Sequence, residues 1–472
     1  MNKRTKIVAT IGPASSSEEV LKDMMLAGMN VARINFSHGT HEANGALMDT
    51  IRQASSETGK NIAIMADLQG PRIRVGNEKE FEITEGETVI VSDSPVSGNE
   101  KNLVIDADHI VGAFKVGERI LIEDGTKELK IVGKTENGAK AEVVVGGTVK
   151  PRKGINVPDT QVPFGAVTEK DEKDLEFALS KDVDFIALSF VSNGKEIEEA
   201  KEKIRKILGR ETDIPEIVSK VERKEAIKNI DEIVKASDVV MVARGDLGIE
   251  MDETNVVVYQ KQIIAKCLEF ARPVIVATQM LDSMINNPIP TRAEVSDVSN
   301  AVIDHTDAVM LSGESANGSY PVKAVETMAK IIRNTEKSAF DDYCKKCEHV
   351  QENKEYAALV CSAHDMARNS DAKAILCISR SGFTARMLSL RRPQEMLLVA
   401  TGSEKTYRQT AIVWGVDAYL FSEGENIEEY LNLMICRAKE EKRIKAGDSV
   451  VVFMGGLPGG KKMRLVGIRE IE

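Results

Sequence analysis

The sequence predicts an α/β protein: a (β/α)8 TIM barrel, interrupted by a small all-β lid domain and followed by a C-terminal open α/β domain. Three observations carry this. Eight short Val/Ile/Ala-rich runs alternate with longer amphipathic stretches between Lys6 and Glu314. One long segment of different character separates the third run from the fourth. A further set of apolar runs begins after about Asn334.

The eight runs are "KIVATIG" from Lys6, "VARINFS" from Val31, "IAIMADL" from Ile62, "FIALSFV" from Phe185, "EIVSKVE" from Glu216, "VVMVARGDLG" from Val239, "PVIVATQM" from Pro273 and "AVMLSGE" from Ala308. Continuous apolar strands separated by helices form a parallel sheet covered by helices, and eight such units close a barrel. This assigns residues 1–70 and 163–334 to the barrel. Residues 71–162 hold short alternating strands with Gly, Asp and Asn turns, such as "FEITEGETVIVS" and "ERILIEDGTKELKIVG". That pattern reads as an all-β insert, which leaves and re-enters at a barrel loop, a placement suited to a lid that excludes water. Residues 335–472 open with helix-like "EYAALVCSAHDMARNS", followed by the strands "AILCIS", "MLLVATG", "AYLFS" and "SVVVFMGG".

Composition narrows the function. The chain has 472 residues, 42% of them hydrophobic, which suits several cored domains. A formal net charge of −11 argues against a general nucleic-acid or anionic-membrane binder, and 4% aromatic residues argue against base-stacking platforms. No stretch reaches the roughly 20 apolar residues of a membrane span. The basic N-terminus reads as a first strand rather than a signal peptide, and the scattered cysteines read as reduced thiols in the cytoplasm. "CKKCEH" (Cys344, Cys347, His349) has metal-like spacing but lacks a second ligand pair, and reads as a solvated linker.

The polar residues of the eight runs fall late: Asn35 and Ser37, Asp67, Ser189, Lys220 and Glu222, Arg244 and Asp246, Thr278, Ser312 and Glu314. In a barrel these ends meet on one face, where active sites lie. Lys220 and Glu222 are two apart and share a strand face. With Asp246 ending the next strand, two carboxylates suit a hard divalent cation such as Mg2+ or Mn2+. Divalent metal plus cations in a dry site is what phosphoryl transfer requires; the plainer reading is a structural ion pair. Arg33 is suited to clamp a phosphate, and Asn35 and Ser37 offer neutral oxygens to a monovalent cation. His38, beside a glycine, reads as a loop residue rather than a catalytic base. In the C-terminal region, "SRSGFTAR" follows a strand and opens a helix, so Ser379, Arg380, Ser381, Gly382 and Thr384 form a candidate phosphate nest, against the plainer reading of an N-cap. The late Gly-rich, basic "GGLPGGKKMR" is a candidate flap over it.

Taken together, "MNVARINFSHG", "SKVE", "VMVARGDLG", "ATQMLDSM", "NPIPTRAEVSDVSNAV" and "DAVMLSGES" resemble the pyruvate kinases, of the bacterial type without an extra C-terminal domain. The resemblance implies transfer of a phosphoryl group from phosphoenolpyruvate to ADP, giving pyruvate and ATP in glycolysis. It implies Glu222 and Asp246 as Mg2+ ligands, Arg33 as a substrate arginine and Lys220 as the lysine that stabilises the migrating group. It implies the Gly245 and Asp246 amides and Thr278 as holders of the substrate carboxylate. Arg74, with Asn35, Ser37 and His38, falls at the nucleotide; Thr278, Ser312 and Glu314 fall where a proton relay to the enolate carbon is expected. It also implies a homotetramer, and a sugar-phosphate or other phosphorylated effector at the 379–384 loop.

Two departures from the family pattern stand out. Asn193 replaces a lysine that contacts the nucleotide, leaving Lys195 as a shifted substitute. The common D-T-K-G-P-E-I-R reads here Asp67, Leu68, Gln69, Gly70, Pro71, Arg72, Ile73, Arg74. With Asn35, Ser37 and Asp67 this is the family's K+ site, and the expectation is that the Arg72 guanidinium replaces a K+ that is not required. The rival readings are a barrel lyase acting on a pyruvate enolate and a non-catalytic sugar-phosphate sensor. Retention of Lys220, Glu222, Asp246 and Thr278 argues against the sensor; the lid and Arg74 argue against the lyase.

Overall fold

The computed structural model describes residues 3–95, 101–107, 109–136, 138–162, 165–341, 354–421, 427–455 and 464–472. Eight parallel strands close a barrel: β1 (Lys6–Thr10), β2 (Val31–Asn35), β3 (Ala63–Asp67), β4 (Phe185–Leu188), β5 (Glu216–Val221), β6 (Val239–Ala243), β7 (Val274–Ala277) and β8 (Ala308–Leu311). Most of their residues are fully buried, as expected of strands covered by helices outside and packed side chains inside. Side-chain caps start the covering helices where the sequence offers Ser or Thr. Thr291 and Glu294 of the "PTRAE" motif form one such capping box on Arg292–Ile303.

The insert between β3 and β4 closes into a second, seven-stranded barrel with its own core around Val91, Phe114 and Ile122. It carries a one-turn helix, Ile110–Ala113, that the all-β reading lacked. It leaves β3 through Gly70, whose φ of 68° favours glycine.

The C-terminal sheet has five strands: β9 (Ala374–Ile378), β10 (Met396–Thr401), β11 (Val416–Leu420), β12 (Ser449–Met454) and β13 (Leu465–Glu470), in the order β11-β10-β9-β12-β13. The sequence predicts only the first four of these. Strand β13 is antiparallel and half exposed, so it lacks the apolar run that marks the others. Cys267, Cys377 and Cys436 are free thiols. The Cys344, Cys347, His349 cluster lies outside the described residues, as does most of the "GGLPGGKKMR" loop. No described helix is long and apolar enough to cross a membrane.

This third unit plugs the floor of the barrel, at the N-terminal ends of the strands. Arg408 Nε pairs with Asp184 Oδ1 at 2.7 Å just before β4, Arg386 pairs with Glu216 at the start of β5, and Lys6 Nζ donates to the Val416 carbonyl at 2.7 Å. Arg392 grips the buried Asp307 through two nitrogens, at 3.0 and 3.1 Å, and stacks on Trp414. Removing one partner of a buried pair strands the other, at a cost of about 3–5 kcal/mol. Arg392→Leu is therefore expected to lower the melting temperature clearly in a calorimetric scan; an unchanged melt would mean that the pair contributes nothing to docking.

Candidate active site

The heads of β2, β3 and β5 bring together Arg33, Asp67, Lys220 and Glu222. Strand pairing sets Asn35 beside Asp67 and Asp67 beside Ala187, so these side chains reach the barrel mouth at one level. Asp67 is 1% exposed and is shared: Arg33 Nε lies 2.6 Å from its Oδ2, and Lys220 Nζ 3.3 Å from its Oδ1. Lys220 also lies 3.0 Å from Glu222 Oε1, which realises the expected shared face. Arg33 donates its Nη1 to the Thr10 hydroxyl at 2.8 Å.

Burial works against charge on each of these groups, and their pairing decides the outcome. Burial alone would raise the Asp67 carboxyl, but Arg33 and Lys220 hold it below the usual range. Burial alone would lower Lys220, but Asp67 and Glu222 keep it raised. Glu222 goes the other way, pushed up to about 7 by burial and by the negative Asp246, with Lys220 opposing.

The sequence places Asp246 at the end of β6; the structure does not. The strand stops at Ala243, and Asp246 lies in the first turn of the helix Arg244–Glu250. Across from it, Thr278 has φ 69° and Gln279 φ 54°, a left-handed conformation that costs a β-branched residue dearly. Arg244, not singled out as a site residue from sequence, holds that turn. Its Nη2 donates to the Thr278 carbonyl at 2.6 Å and its Nη1 pairs with Asp297 at 2.8 Å. The Gly245 N–H, expected to meet a ligand carboxylate, donates to Thr278 Oγ1 at 2.8 Å, so amide and hydroxyl converge on one spot.

Glu314 is buried, and burial raises its carboxyl; its oxygens accept from the backbone N–H of Leu281 at 3.0 Å and of Ser312 at 2.7 Å. Thr278, Ser312 and Glu314 thus crown β7 and β8: Glu314 is tied to the Ser312 N–H, and no bond from side chain to side chain joins the three among the described residues.

Asn35 Oδ1 accepts from the Ser37 N–H at 3.0 Å, and His38 is exposed on the loop that follows. The Leu68 carbonyl accepts from Ser189 Oγ at 2.7 Å. Arg72 is exposed and Arg74 half-buried on the lid strand Ile73–Val75; neither has an ion pair among the described residues. Asn193 caps the helix Gly194–Leu208, and Lys195 pairs with Glu199 one turn along it. In the C-terminal unit, Gly382 caps the helix Phe383–Ser389 with φ 73°. Arg380 and Ser381 are exposed, Ser379 is buried, and the Thr384 hydroxyl shares a hydrogen bond with the Tyr356 hydroxyl at 2.5 Å.

Fold and site define a (β/α)8 barrel with a β domain inserted after its third strand and a buried ionic cluster at the strand heads. Two family models match: "Pyruvate kinase, barrel domain" over residues 2–325 and "Pyruvate kinase, alpha/beta domain" over residues 357–464. The chain is 42% identical over 468 residues to the pyruvate kinase of Staphylococcus epidermidis, covering 98% of this chain and 79% of that protein. It is 41% identical over 480 residues to that of Staphylococcus aureus, covering 98% and 81%. A crystal structure of a pyruvate kinase from Cryptosporidium parvum superposes with a TM-score of 0.92 at 34% identity, covering 99% of this chain and 96% of that one. The chain belongs to the pyruvate kinase family, and is an enzyme of that family.

Proposed function

We propose that the chain transfers the phosphoryl group of phosphoenolpyruvate to ADP, yielding pyruvate and ATP. The observation that carries the reading is the Lys220 ammonium held between Asp67 and Glu222 at the barrel mouth. It is a fixed cation in a water-poor site, where it stabilises developing phosphoryl charge far more than in water. Arg33, fixed by Asp67 and Thr10, presents a guanidinium to the substrate phosphate. The Gly245 amide and Thr278 orient the carboxylate, which would displace their mutual hydrogen bond. Thr278, Ser312 and Glu314 deliver the proton that turns enolate into pyruvate. Arg74, on the lid, meets the nucleotide phosphates with Asn35, Ser37 and His38.

Glu222 and Asp246 fit a divalent ion: both are hard oxygen donors, and Asp246 makes no hydrogen bond or ion pair among the described residues. Mg2+ or Mn2+ held there neutralises substrate charge as a Lewis acid. For the monovalent site, Arg72 stands on the lid side of the Gly70–Pro71 hinge, and its guanidinium supplies the charge of a K+. A phosphorylated effector at Ser379, Arg380, Ser381, Gly382 and Thr384 belongs to the same reading, the Thr384 hydroxyl accepting from Tyr356 and donating its own proton to the anion. A homotetramer does too, supported by exposed Leu26 (62%) and Ile289 (71%) on a groove along the barrel's flank.

The test is pyruvate formation from phosphoenolpyruvate with single omissions. Removing ADP or Mg2+ is expected to abolish it, and removing K+ to leave it intact. Pyruvate formation without ADP would overturn the phosphotransfer reading.

A further inference from the structure

The dipeptide Ser189–Phe190, at the head of β4, touches both members of the Lys220/Glu222 pair. Ser189 is 2% exposed, and its hydroxyl oxygen accepts from Lys220 Nζ at 2.8 Å. The same hydroxyl donates its proton to the Leu68 carbonyl at 2.7 Å. Its direction is thereby fixed: the carbonyl can only accept and the ammonium can only donate. Next in the chain, the Phe190 N–H donates to Glu222 Oε2 at 2.6 Å. Phe190 reaches it with φ 58°, a conformation that costs a bulky residue free energy and persists only where its surroundings impose it. The Arg223 guanidinium lies 5.1 Å from the Phe190 ring centroid and covers it.

The third contact of this dipeptide is the lid hinge. A Cβ on Gly70 would stand 2.7 Å from Ser189 Cβ and 3.4 Å from the Phe190 ring, so the hinge backbone lies directly on the two residues. Leu68, two residues before Gly70, is the acceptor of the Ser189 hydroxyl. A continuous chain of contacts therefore runs from the lid's first residues through Ser189 to the Lys220 ammonium.

We propose that Ser189 is a positioning residue for Lys220, and that with Phe190 it ties the geometry of the Lys220/Glu222 pair to the lid hinge at Gly70. Without the hydroxyl, Lys220 keeps only carboxylate acceptors and is drawn onto Glu222 and Asp67, away from the ligand side. The Leu68 carbonyl simultaneously loses its buried donor, which loosens the segment leading into the hinge. The effect falls on the transfer step rather than on substrate affinity, because Arg33 and the Gly245–Thr278 turn are untouched.

The proposal rests on the role given to Lys220, so Lys220→Met is assayed beside it. Ser189→Ala is expected to lower kcat about 10- to 100-fold, the range of one charge-assisted hydrogen bond. The KM for phosphoenolpyruvate should stay within about threefold, since the loss is confined to the transition state. Ser189→Thr, which keeps the hydroxyl, is expected to recover most of kcat. Gly70→Ala is expected to lower kcat as well, and to cost less in the Ser189→Ala background than alone, as contacting residues on one path do. Melting curves confirm that each variant is folded at the assay temperature. A Ser189→Ala enzyme within twofold of the parent, or equal impairment of the Ala and Thr variants, overturns the proposal. Strictly additive losses with Gly70→Ala overturn its hinge part. If Lys220→Met itself retains full kcat, the reading of the lysine fails, a different result from an inert Ser189.

Discussion

Lys220→Met is expected to lower kcat about a thousandfold, at the upper end of what one preorganised donor contributes, while the protein stays folded. Methionine matches the length of the lysine stem and removes only the ammonium. That ammonium contacts Asp67, Glu222 and Ser189. Deleting it leaves the migrating phosphoryl group without its fixed cation. The neighbours are not stranded: Asp67 keeps Arg33, and Glu222 keeps the Phe190 N–H. Stability therefore falls much less than activity. Steady-state kinetics at saturating substrates, with a melting curve on the same preparation, check this. A kcat within tenfold of the parent would mean that Lys220 is a structural ion pair and nothing more.

The second large effect concerns Arg72. The parent enzyme is expected to run at the same rate in tetramethylammonium buffer with and without KCl. Arg72→Glu, which restores the common acid, should slow about 30-fold or more without K+ and recover when K+ is added. The lower bound follows from losing the one unit charge of the guanidinium several ångström away in a partly shielded site, about 2 kcal/mol, or about 30-fold in rate; the reversal of sign at Glu adds to it. Arg72 makes no ion pair among the described residues, so its charge is uncommitted when the lid approaches. A parent enzyme that rises many-fold on adding KCl at constant ionic strength would end this idea. The contact of Lys195 with Glu199 suggests no equivalent device for the missing lysine at Asn193.

Much of the fold was legible because strands buried on both faces leave continuous apolar runs, as in Ile62–Ala66 and Val239–Ala243. Strand β13 left no such mark, since an antiparallel edge strand alternates and is half exposed. Lys220, Glu222, Asp67 and Arg33 were legible as polar breaks at strand heads. Ser189 was visible as such a break too, but a serine carries little signal until its two hydrogen bonds are known. Phe190 carried none, because nothing in a phenylalanine announces a positive φ. Arg244 is legible as another polar break at a strand head, but nothing in a basic residue there announces that it holds a turn. The reading of Asp246 as a strand end failed because helix and strand meet there with no intervening turn residue. The floor contacts of Arg392 and Arg408 with Asp307 and Asp184 join residues 85 and 224 apart in sequence, beyond any local pattern.

The most direct test is to follow phosphorus itself. In a 31P NMR time course with phosphoenolpyruvate, ADP and Mg2+, the phosphoenolpyruvate signal should decay as the γ-phosphate of ATP grows in equal amount. Decay into inorganic phosphate, or no decay at all, would contradict the account.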